Sequence, residues 1–495
     1  MSRENPLEIP EITGLVASYL EGEDLARCVQ VSKKWRDLLL PYRWRTVRVG
    51  SVPSSDSFRK SPRHRIGPYP SDIYRHRHLI HDLTLKGETN GLENYKYPNL
   101  RKLRIRTKDD AEDPEREVSL ELVEMFPSLV CLILYVAKLA SSTWPALLAH
   151  PCITSLYMRD GVIKAMDAPL FWELCRRLET LSILAVTFED GAIPAETTFD
   201  HLRELHVDIK DSMVISEELA LSLRCPNLEI FGWGNCEPTR NTGPPVLDTN
   251  CIPQGHWHRL GKLSIQNYFQ DTQVASLLNG VGDGSLYQLR LADCRLEEQG
   301  SKALRQHFAT LVSLYLGECL SVSSSGIRDI LYSCPRLKHL HVKSVHGRDV
   351  ANGGPWVCQN LRELYIGFMF EESEVDELQP EIFRRLSTLT RLEELEIVLP
   401  EDELFGDDHI LKFRLENGMG HLASLQQLSL LSFGDAPKHI THVPQMGKKE
   451  VAWMLANWKK LRGIYGQLNN NPSINRKLKD VLEFLEIKTE YKSEE

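Results

Sequence analysis

A short apolar pattern, L-x-x-L-x-L, recurs along most of this 495-residue chain and constrains its fold more than any other feature. The mid-chain copies are spaced by 24 to 26 residues, and the spacing stretches to 31–33 after residue 361. Because a single core stops growing at roughly 250–300 residues, a chain with such a period indicates a repeat array. The clear copies begin at Leu100, Leu129, Leu178, Leu202, Leu260, Leu286, Leu311, Leu337, Leu361, Leu392 and Leu425, and weaker copies at Ile80, Ile153 and Leu228.

The spacing within each copy predicts a strand, and the segment before it predicts a helix. Leucines at the fourth and sixth positions of the pattern point the same way into a core, because alternate side chains of a strand face opposite sides. Stacked copies then form a parallel sheet. Before Leu337, the residues Ile327, Ile330, Leu331 and Cys334 share one helical face, which Pro335 ends because proline has no N–H to donate.

The Cys334-Pro335-Arg336-Leu337 ending resembles the cysteine-containing type of leucine-rich repeat that is found in many F-box proteins. The resemblance covers roughly residues 79–432. It implies an α/β leucine-rich-repeat solenoid, a horseshoe with a parallel inner sheet and outer helices. Residues 448–489 are apolar and partly periodic, which predicts a last irregular repeat and a cap.

The first 46 residues do not fit the repeat and predict three short helices. Their apolar positions follow helical stripes, and Pro41 is predicted to end the third helix. A 40-residue helical trio makes a poor independent core, so the module needs a permanent partner or packing on the first repeats. The stripes are Ile9, Ile12, Val16 and Leu20; Leu25, Cys28, Val29 and Val31; and Trp35, Leu38 and Leu39.

This module resembles the F-box motif, a helical unit that binds the Skp adaptor of cullin-type ubiquitin ligases. The matching blocks are Pro6-Leu7-Glu8-Ile9, Asp24-Leu25, Val31-Ser32-Lys33-Lys34-Trp35-Arg36 and Trp44-Arg45. One position departs from the motif, since Asn5 stands where the family usually has leucine. The resemblance implies adaptor contacts at Pro6, Leu7, Ile9, Leu25, Val31 and Trp35. The alternative is that residues 1–46 only cap the exposed end of the first repeat.

Together the patterns predict an F-box module at residues 1–48, a linker at 49–78, a solenoid with its cap at 79–489, and an acidic tail at 490–495. Charge is uneven: residues 43–81 hold nine Lys/Arg and two acidic residues, and residues 371–408 hold fourteen acidic and three basic residues. Either this makes a bipolar surface that orients a charged partner, or both stretches are solvated faces that keep the chain soluble. The second interpretation is favoured.

The residues between the inward leucines predict a binding surface, because tyrosine and arginine are frequent hot-spot side chains. The competing interpretation is that tyrosines pack against their cross-strand neighbours in any sheet. The candidate substrate-binding residues are Arg104, Arg106, Tyr135, Tyr157, Arg159, Tyr315, His341 and Tyr365.

Several functions are disfavoured by composition. The net charge of −9 argues against a dedicated nucleic-acid binder. A run of about 18 apolar residues, which would predict a membrane span, does not occur in the sequence. Cysteines lie too far apart for a typical zinc site, and no catalytic motif occurs, so we expect no metal, no cofactor and no catalytic residue. Free cysteines without a secretory signal predict a cytoplasmic or nuclear protein.

The predicted function is therefore that of a non-catalytic, substrate-recognition subunit of a Skp–cullin–F-box ubiquitin ligase. The module would bind the Skp adaptor, and through it the cullin scaffold, while the repeats would bind a protein substrate. The alternative is a leucine-rich-repeat scaffold for protein–protein interaction outside any ligase.

Overall fold

The computed structural model describes residues 9–49, 70–86, 95–106, 117–118, 125–135, 138–189, 197–209, 215–234, 252–266, 268–319, 321–371, 374–398, 411–434 and 444–490. The chain forms two compact units, Met1–Leu228 (unit 1) and Glu229–Glu495 (unit 2). The predicted sites at Pro6 and Leu7 lie outside the described residues, as do most of the predicted linker and acidic tail.

Unit 1 begins with a helical module made of α1 (Pro10–Tyr19), α2 (Gly22–Cys28) and α3 (Lys33–Arg45). Pro10 opens α1, where its missing N–H costs no helical hydrogen bond. Ser32 caps α3 by accepting a hydrogen bond from the backbone N–H of Trp35 at 3.1 Å. Three side chains, Ala17, Leu25 and Leu39, form the small buried core where the helices meet.

The prediction that Pro41 ends the third helix is wrong, since α3 continues to Arg45. Proline removes only one hydrogen bond of the ladder, and the last turn is held by other contacts. Trp44 is buried, and its ring stacks on His76 with centroids 4.5 Å apart. Tertiary packing therefore outweighs the local helix-breaking tendency here.

The first strand of unit 1 follows α3 directly, within the segment assigned by sequence to the module. Strands β1, β2, β3, β5, β7, β9 and β10 pair in parallel in chain order, and the short strands β4, β6 and β8 form a second ladder that ends on β9. The bounds are β1 Thr46–Val49, β2 Asp82–Lys86, β3 Lys102–Arg106, β4 Glu117–Val118, β5 Cys131–Tyr135, β6 Lys138–Leu139, β7 Ser155–Arg159, β8 Val162–Ile163, β9 Thr180–Phe188 and β10 Glu204–Ile209.

The described helices of unit 1 after the module are short. They are α4 (Pro70–His76), followed by a 3₁₀ turn at Arg77–Leu79, and α5 (Thr143–Ala149), α6 (Ala168–Cys175) and α7 (Ile215–Leu223). Helix α4 lies inside the segment predicted as a linker. Its Ile73 is fully buried, so the end of this segment is part of the folded unit.

Unit 2 repeats the same strand–helix architecture. Its main sheet pairs β11, β12, β13, β15, β17, β19, β20, β21 and β22 in parallel, β14 pairs with β16, and β18 pairs with the end of β19. The strands are β11 Ile230–Gly234, β12 Lys262–Gln266, β13 Gln288–Ala292, β14 Arg295–Leu296, β15 Ser313–Glu318, β16 Ser321–Val322, β17 His339–His341, β18 Val345–His346, β19 Glu363–Met369, β20 Glu394–Val398, β21 Leu430–Ser432 and β22 Gly463–Tyr465.

The helices of unit 2 alternate with these strands. They are α8 Asp271–Gly280, α9 Glu298–Leu304, α10 Ser324–Ser333, α11 Gly347–Ala351, α12 Val375–Ser387, α13 Lys448–Asn457 and α14 Pro472–Phe484, with 3₁₀ turns at Arg305–His307, Leu415–Asn417 and Met419–Ser424. Helix α10 buries Ile327, Ile330 and Leu331 as its sequence predicts, and Cys334 after it is fully buried.

The predicted leucines stack in register in both units. In unit 1, Leu103 pairs with Leu132 and then Leu156; in unit 2, Leu289 pairs with Leu314 and then Leu340. These ladder residues are buried, since their side chains face the helices. The prediction of an α/β leucine-rich-repeat solenoid behind a helical module is confirmed.

One copy of the pattern is displaced by three residues. The sequence suggests Leu425, Leu428 and Leu430, but the strand places Leu431 beside Leu395, and Leu430 is only half-buried. The inward set is therefore Leu428, Leu431 and Phe433, which has the same spacing. Strand register fixes which set faces inward, because a shift by one residue exchanges the two faces.

Candidate protein-interaction surfaces

The module exposes an apolar face on α1. One side of this helix packs inward through Thr13 and Ala17, and the other side is solvent-exposed. Of the sixteen exposed large apolar residues in the described part of the chain, six lie within residues 9–31. Such a concentration marks an interaction site on a folded protein. The six are Ile9, Ile12, Leu15, Val16, Tyr19 and Val31.

The structure separates the predicted adaptor-contact residues into two kinds. Ile9 and Val31 are exposed, Val31 by 67%. Trp35 is half-buried and lines a shallow groove with Val16, Leu20 and Leu38. These three side chains can be reached by a partner, so their adaptor contacts remain predictions.

Leu25 requires a correction. It is only 6% exposed and packs with Ala17 and Leu39 in the core of the module. A partner cannot contact this side chain without opening the module. We therefore reassign Leu25 from adaptor contact to core residue.

Sequence reasoning missed the most exposed apolar residues of α1. Leu15 is 61% exposed and Tyr19 is 82% exposed, four positions apart on one helical face. The signal was present, because α1 has apolar residues on more than one side: the stripe of Ile12, Val16 and Leu20 and a second set at Leu15 and Tyr19. A short helix that is apolar on two sides needs a second packing partner.

The second candidate surface is the open face of each unit, which consists of the outward side chains between the buried ladder residues. In unit 1, Arg104, Ile133 and Tyr157 lie side by side on adjacent strands. A neighbouring row contains Arg106, Tyr135 and Arg159 in the same register. The five predicted residues of unit 1 thus belong to two adjacent rows of one face.

In unit 2 the predicted residues Tyr315, His341 and Tyr365 occupy three consecutive strands in direct register. The Tyr315 and His341 rings have centroids 4.6 Å apart, and the His341 and Tyr365 rings stack at 5.5 Å with a 12° angle between planes. The three predicted residues thus form one continuous row of rings across neighbouring strands. Part of its contact area is used between neighbouring strands, as the competing packing interpretation requires.

Acidic residues border this row. Glu363 lies directly opposite Glu394 on the next strand. The pKa of the Glu394 carboxyl is raised, chiefly because burial disfavours its charged form and also because the Glu363 and Glu393 carboxylates are near. Burial likewise lowers the pKa of the His341 imidazole, although Glu363 opposes that effect. This part of the face therefore resists carrying its full negative charge.

One triplet on this face looks like a hydrolytic relay but lacks the geometry. The Ser313 hydroxyl lies 2.8 Å from Nδ1 of His339, while Nε2 of His339 lies 3.7 Å from Glu363. The second distance is too long for a hydrogen bond, and Ser313 is itself buried. The triplet therefore does not meet the requirements of an activated nucleophile.

Six of the nine described cysteines are buried core residues, while Cys152 is exposed and Cys28 and Cys131 are partly buried. Burial raises the pKa of the Cys358 thiol to about 12, and it also raises the pKa of Cys225, Cys319 and Cys334. These thiols stay protonated near neutral pH, so they are poor nucleophiles and poor metal ligands. The described residues contain no cluster of His, Cys, Asp and Glu suited to a metal ion. None of the described helices combines the length and apolarity required to span a bilayer.

Comparison with known families identifies the module. Residues 10–49 match the F-box-like family, which agrees with the resemblance seen in the sequence. No curated protein matches the chain significantly. The chain thus joins an F-box-like module to leucine-rich repeats, a combination suited to adaptor binding and protein interaction.

Solved structures with a similar fold are distant in sequence. A leucine-rich-repeat protein of Leptospira interrogans, LIC12759, is 13% identical, with a TM-score of 0.48 and coverage of 86% of this chain and 92% of that one. An internalin (inlF) from Listeria monocytogenes is 16% identical, with a TM-score of 0.39 and coverage of 66% and 83%. The assignment of the repeat fold rests on the strand register described above.

Proposed function

We propose that this protein, which joins an F-box-like module to leucine-rich repeats, is the substrate-recognition subunit of a Skp–cullin–F-box ubiquitin ligase. The module would bind the Skp adaptor and through it the cullin scaffold. The open faces of the repeats would hold a protein substrate. The chain would supply no catalytic group, and would act by raising the effective concentration of the substrate near the conjugating enzyme. A cytoplasmic or nuclear location belongs to the same proposal.

The observation that carries this proposal is the exposed apolar face of α1 within the segment that matches the F-box-like family. Leu15 and Tyr19 face solvent although burying such side chains contributes about 1.5–3 kcal/mol each. A partner that covers them would gain that energy. The small core of Ala17, Leu25 and Leu39 explains why the module gains from a permanent partner.

Co-expression with the Skp adaptor tests the proposal. The native chain is compared with Leu15→Ser/Tyr19→Ser, which removes the two most exposed apolar side chains of α1 and leaves the module core intact. The matched control is Val481→Ser/Phe484→Ser on α14, where two apolar side chains are 45% and 86% exposed. We expect the native chain and the control to co-purify with the adaptor. The α1 variant should lose most of the captured adaptor.

Equal capture by all three proteins would show that α1 is not the adaptor surface. Failure of the native chain to capture the adaptor, with its repeats folded by circular dichroism, would mean that the module only caps the repeats. Reconstitution with cullin and conjugating enzyme then separates the ligase from a scaffold. A ligase transfers ubiquitin to a protein that the repeats bind, whereas a scaffold binds it without transfer.

A further inference from the structure

The open face of unit 1 is positively charged on its first five strands, whereas β10 at the other end of the sheet presents Glu204 and Asp208. Its five adjacent strands β1, β2, β3, β5 and β7 present six cationic side chains at outward positions and one carboxylate, Asp82. Asp82 lies directly opposite Lys102, so it offsets one of the six. The cationic residues are Arg48, Lys86, Lys102, Arg104, Arg106 and Arg159.

Two of these cations are placed directly opposite each other. Lys86 pairs in register with Arg106 on the next strand, and strands lie about 4.8 Å apart. Like charges opposite each other destabilise a sheet. Among the described residues, no carboxylate lies within ion-pair distance of Lys86, Arg104 or Arg106. An anionic group placed at Lys86 and Arg106 would offset the repulsion between them.

The three arginines of this face have different surroundings. The Arg106 guanidinium lies 6.0 Å from the centroid of the Tyr135 ring, which restricts its motion. Nε of Arg104 is buried and has no hydrogen-bond partner among the described residues. Arg159 forms an ion pair with Asp160 at 3.5 Å, and both side chains are about half exposed or more. Such an exposed pair is weak and can be exchanged for a ligand carboxylate.

We propose that this cationic face binds an extended, carboxylate-rich segment of a partner protein. The cations lie on β1, β2, β3 and β7, and from β1 to β7 the sheet spans about 19 Å, which matches about six residues of extended chain. The planar guanidinium groups of Arg104 and Arg106 suit bidentate bonds to carboxylates. The inference depends on the proposed function only in calling that partner a substrate.

Carboxylates fit this face better than two other anions. A single phosphate concentrates its charge at one point, whereas these cations are dispersed along three rows and three of the strands contribute only one each. Nucleic acid would have to approach a chain of net charge −9. The aromatic residues Tyr135 and Tyr157 lie on different rows and form no continuous platform for stacked bases.

The test measures peptide binding to the full chain by fluorescence anisotropy at low and physiological salt. The probe is a labelled extended peptide with glutamates at alternate positions. The comparison ligands are the same peptide with glutamines, the same peptide with phosphoserines, and a single-stranded RNA. We expect the glutamate peptide to bind, to weaken with salt, and to bind at least about tenfold more weakly to Arg104→Glu/Arg106→Glu.

The matched control is Arg476→Glu/Lys477→Glu on α14, which changes the net charge by the same amount at exposed positions of unit 2. It should bind the glutamate peptide within about twofold of the native chain. Thermal unfolding supplies an independent readout. Because Arg106→Glu places an opposite charge beside Lys86, the single variant Arg106→Glu should be at least as stable as the native chain, so its loss of binding cannot be ascribed to unfolding.

The proposal is overturned if the glutamine peptide binds equally, or if the control loses as much affinity as the face variant. It is also overturned if the phosphoserine peptide binds more than about tenfold tighter, or if RNA binds tighter than the glutamate peptide. Adaptor capture by the face variant is measured in parallel. Retained capture with lost peptide binding supports this surface, while failed capture by the native chain with intact peptide binding refutes only the proposed ligase role.

Discussion

In unit 1, the outward rows beside the leucine ladder carry Arg104, Arg106 and Arg159, whereas in unit 2 the corresponding row carries Tyr315, His341 and Tyr365. The inward residues of the two units are nearly interchangeable, since both are ladders of buried leucines. The comparison teaches that the inward positions set the fold and leave the outward positions open to different chemistry. Binding specificity is then a property of each outward row. Variants in unit 1 can therefore be compared with matching variants in unit 2.

The largest effect should come from breaking the ladder, and it should be similar in both units. Leu132→Ala in unit 1 and Leu314→Ala in unit 2 each remove a fully buried side chain that is in register with leucines on both neighbouring strands. We expect each to lower the free energy of unfolding by about 2–5 kcal/mol, measured by urea denaturation. A control at the outward position Ser155, changed to alanine, should cost far less. If one of the two substitutions lowers the free energy of unfolding much less than the other, the two ladders are not equivalent.

A smaller effect should distinguish inward from outward histidines of unit 2. His307 is fully buried beside the Leu278 carbonyl, and burial lowers the pKa of its imidazole. A lowered folded-state pKa means that the native state holds the neutral ring. Its contribution to stability is therefore complete above the unfolded value near 6.5 and is lost as pH falls below it.

We expect His307→Gln to flatten the loss of stability between about pH 6.5 and 5 by roughly 1 kcal/mol, because glutamine cannot be protonated there. Urea midpoints measured across this range provide the test. His341→Gln on the open face should flatten it less, because His341 is only half-buried and Glu363 lies beside it. Equal slopes for native chain and His307→Gln would contradict the assignment.

The outward rows should differ in the strength of their internal contacts. In a double-mutant cycle with alanine, the Tyr315–His341 pair of unit 2 should show a coupling of about 0.5–1.5 kcal/mol, as expected for aromatic rings in contact. The Arg106–Tyr135 pair of unit 1 is more exposed and longer, and should show about 0.5 kcal/mol. Reversed values would mean that the arginine row is a structural contact rather than a ligand surface.

The sequence predicts the inward residues of the strands better than it predicts the outward ones. The leucine ladder could be predicted, because the period of the leucines indicates where each strand lies and which of its side chains face inward. The displaced copy at Leu428, Leu431 and Phe433 could not be distinguished, since Leu425, Leu428 and Leu430 satisfy the same pattern. Only the register with the neighbouring strand decides between them.

Strand β1 was missed for a related reason. Thr46–Val49 has alternating residues but no leucine pattern, and the segment after it separates it from its partner strand β2. The role of Leu25 was assigned from a motif, which states that a residue matters without stating whether it faces a partner or the core. The cationic rows of unit 1 arise from residues far apart in sequence, so their like-charge contacts appear only once the strands are paired.

The smallest effect concerns the acidic border of the unit 2 face. The pKa of the Glu394 carboxyl is raised by burial and by its acidic neighbours, so its ionised form opposes folding. The native state is favoured most at pH below the unfolded carboxyl pKa, and that benefit is lost as pH rises through the folded value. Glu394→Gln should therefore raise stability at pH 7 by a few tenths of a kcal/mol, a small gain because water screens this outer position, and it should have no stabilising effect at pH 4. Lys86→Ala should act in the same direction in unit 1 by removing the repulsion with Arg106, but without this pH dependence because both cations stay charged. Urea midpoints of both variants at pH 4 and 7 make the comparison, and a gain for Glu394→Gln that persists at pH 4 would show that packing, not charge, limits this face.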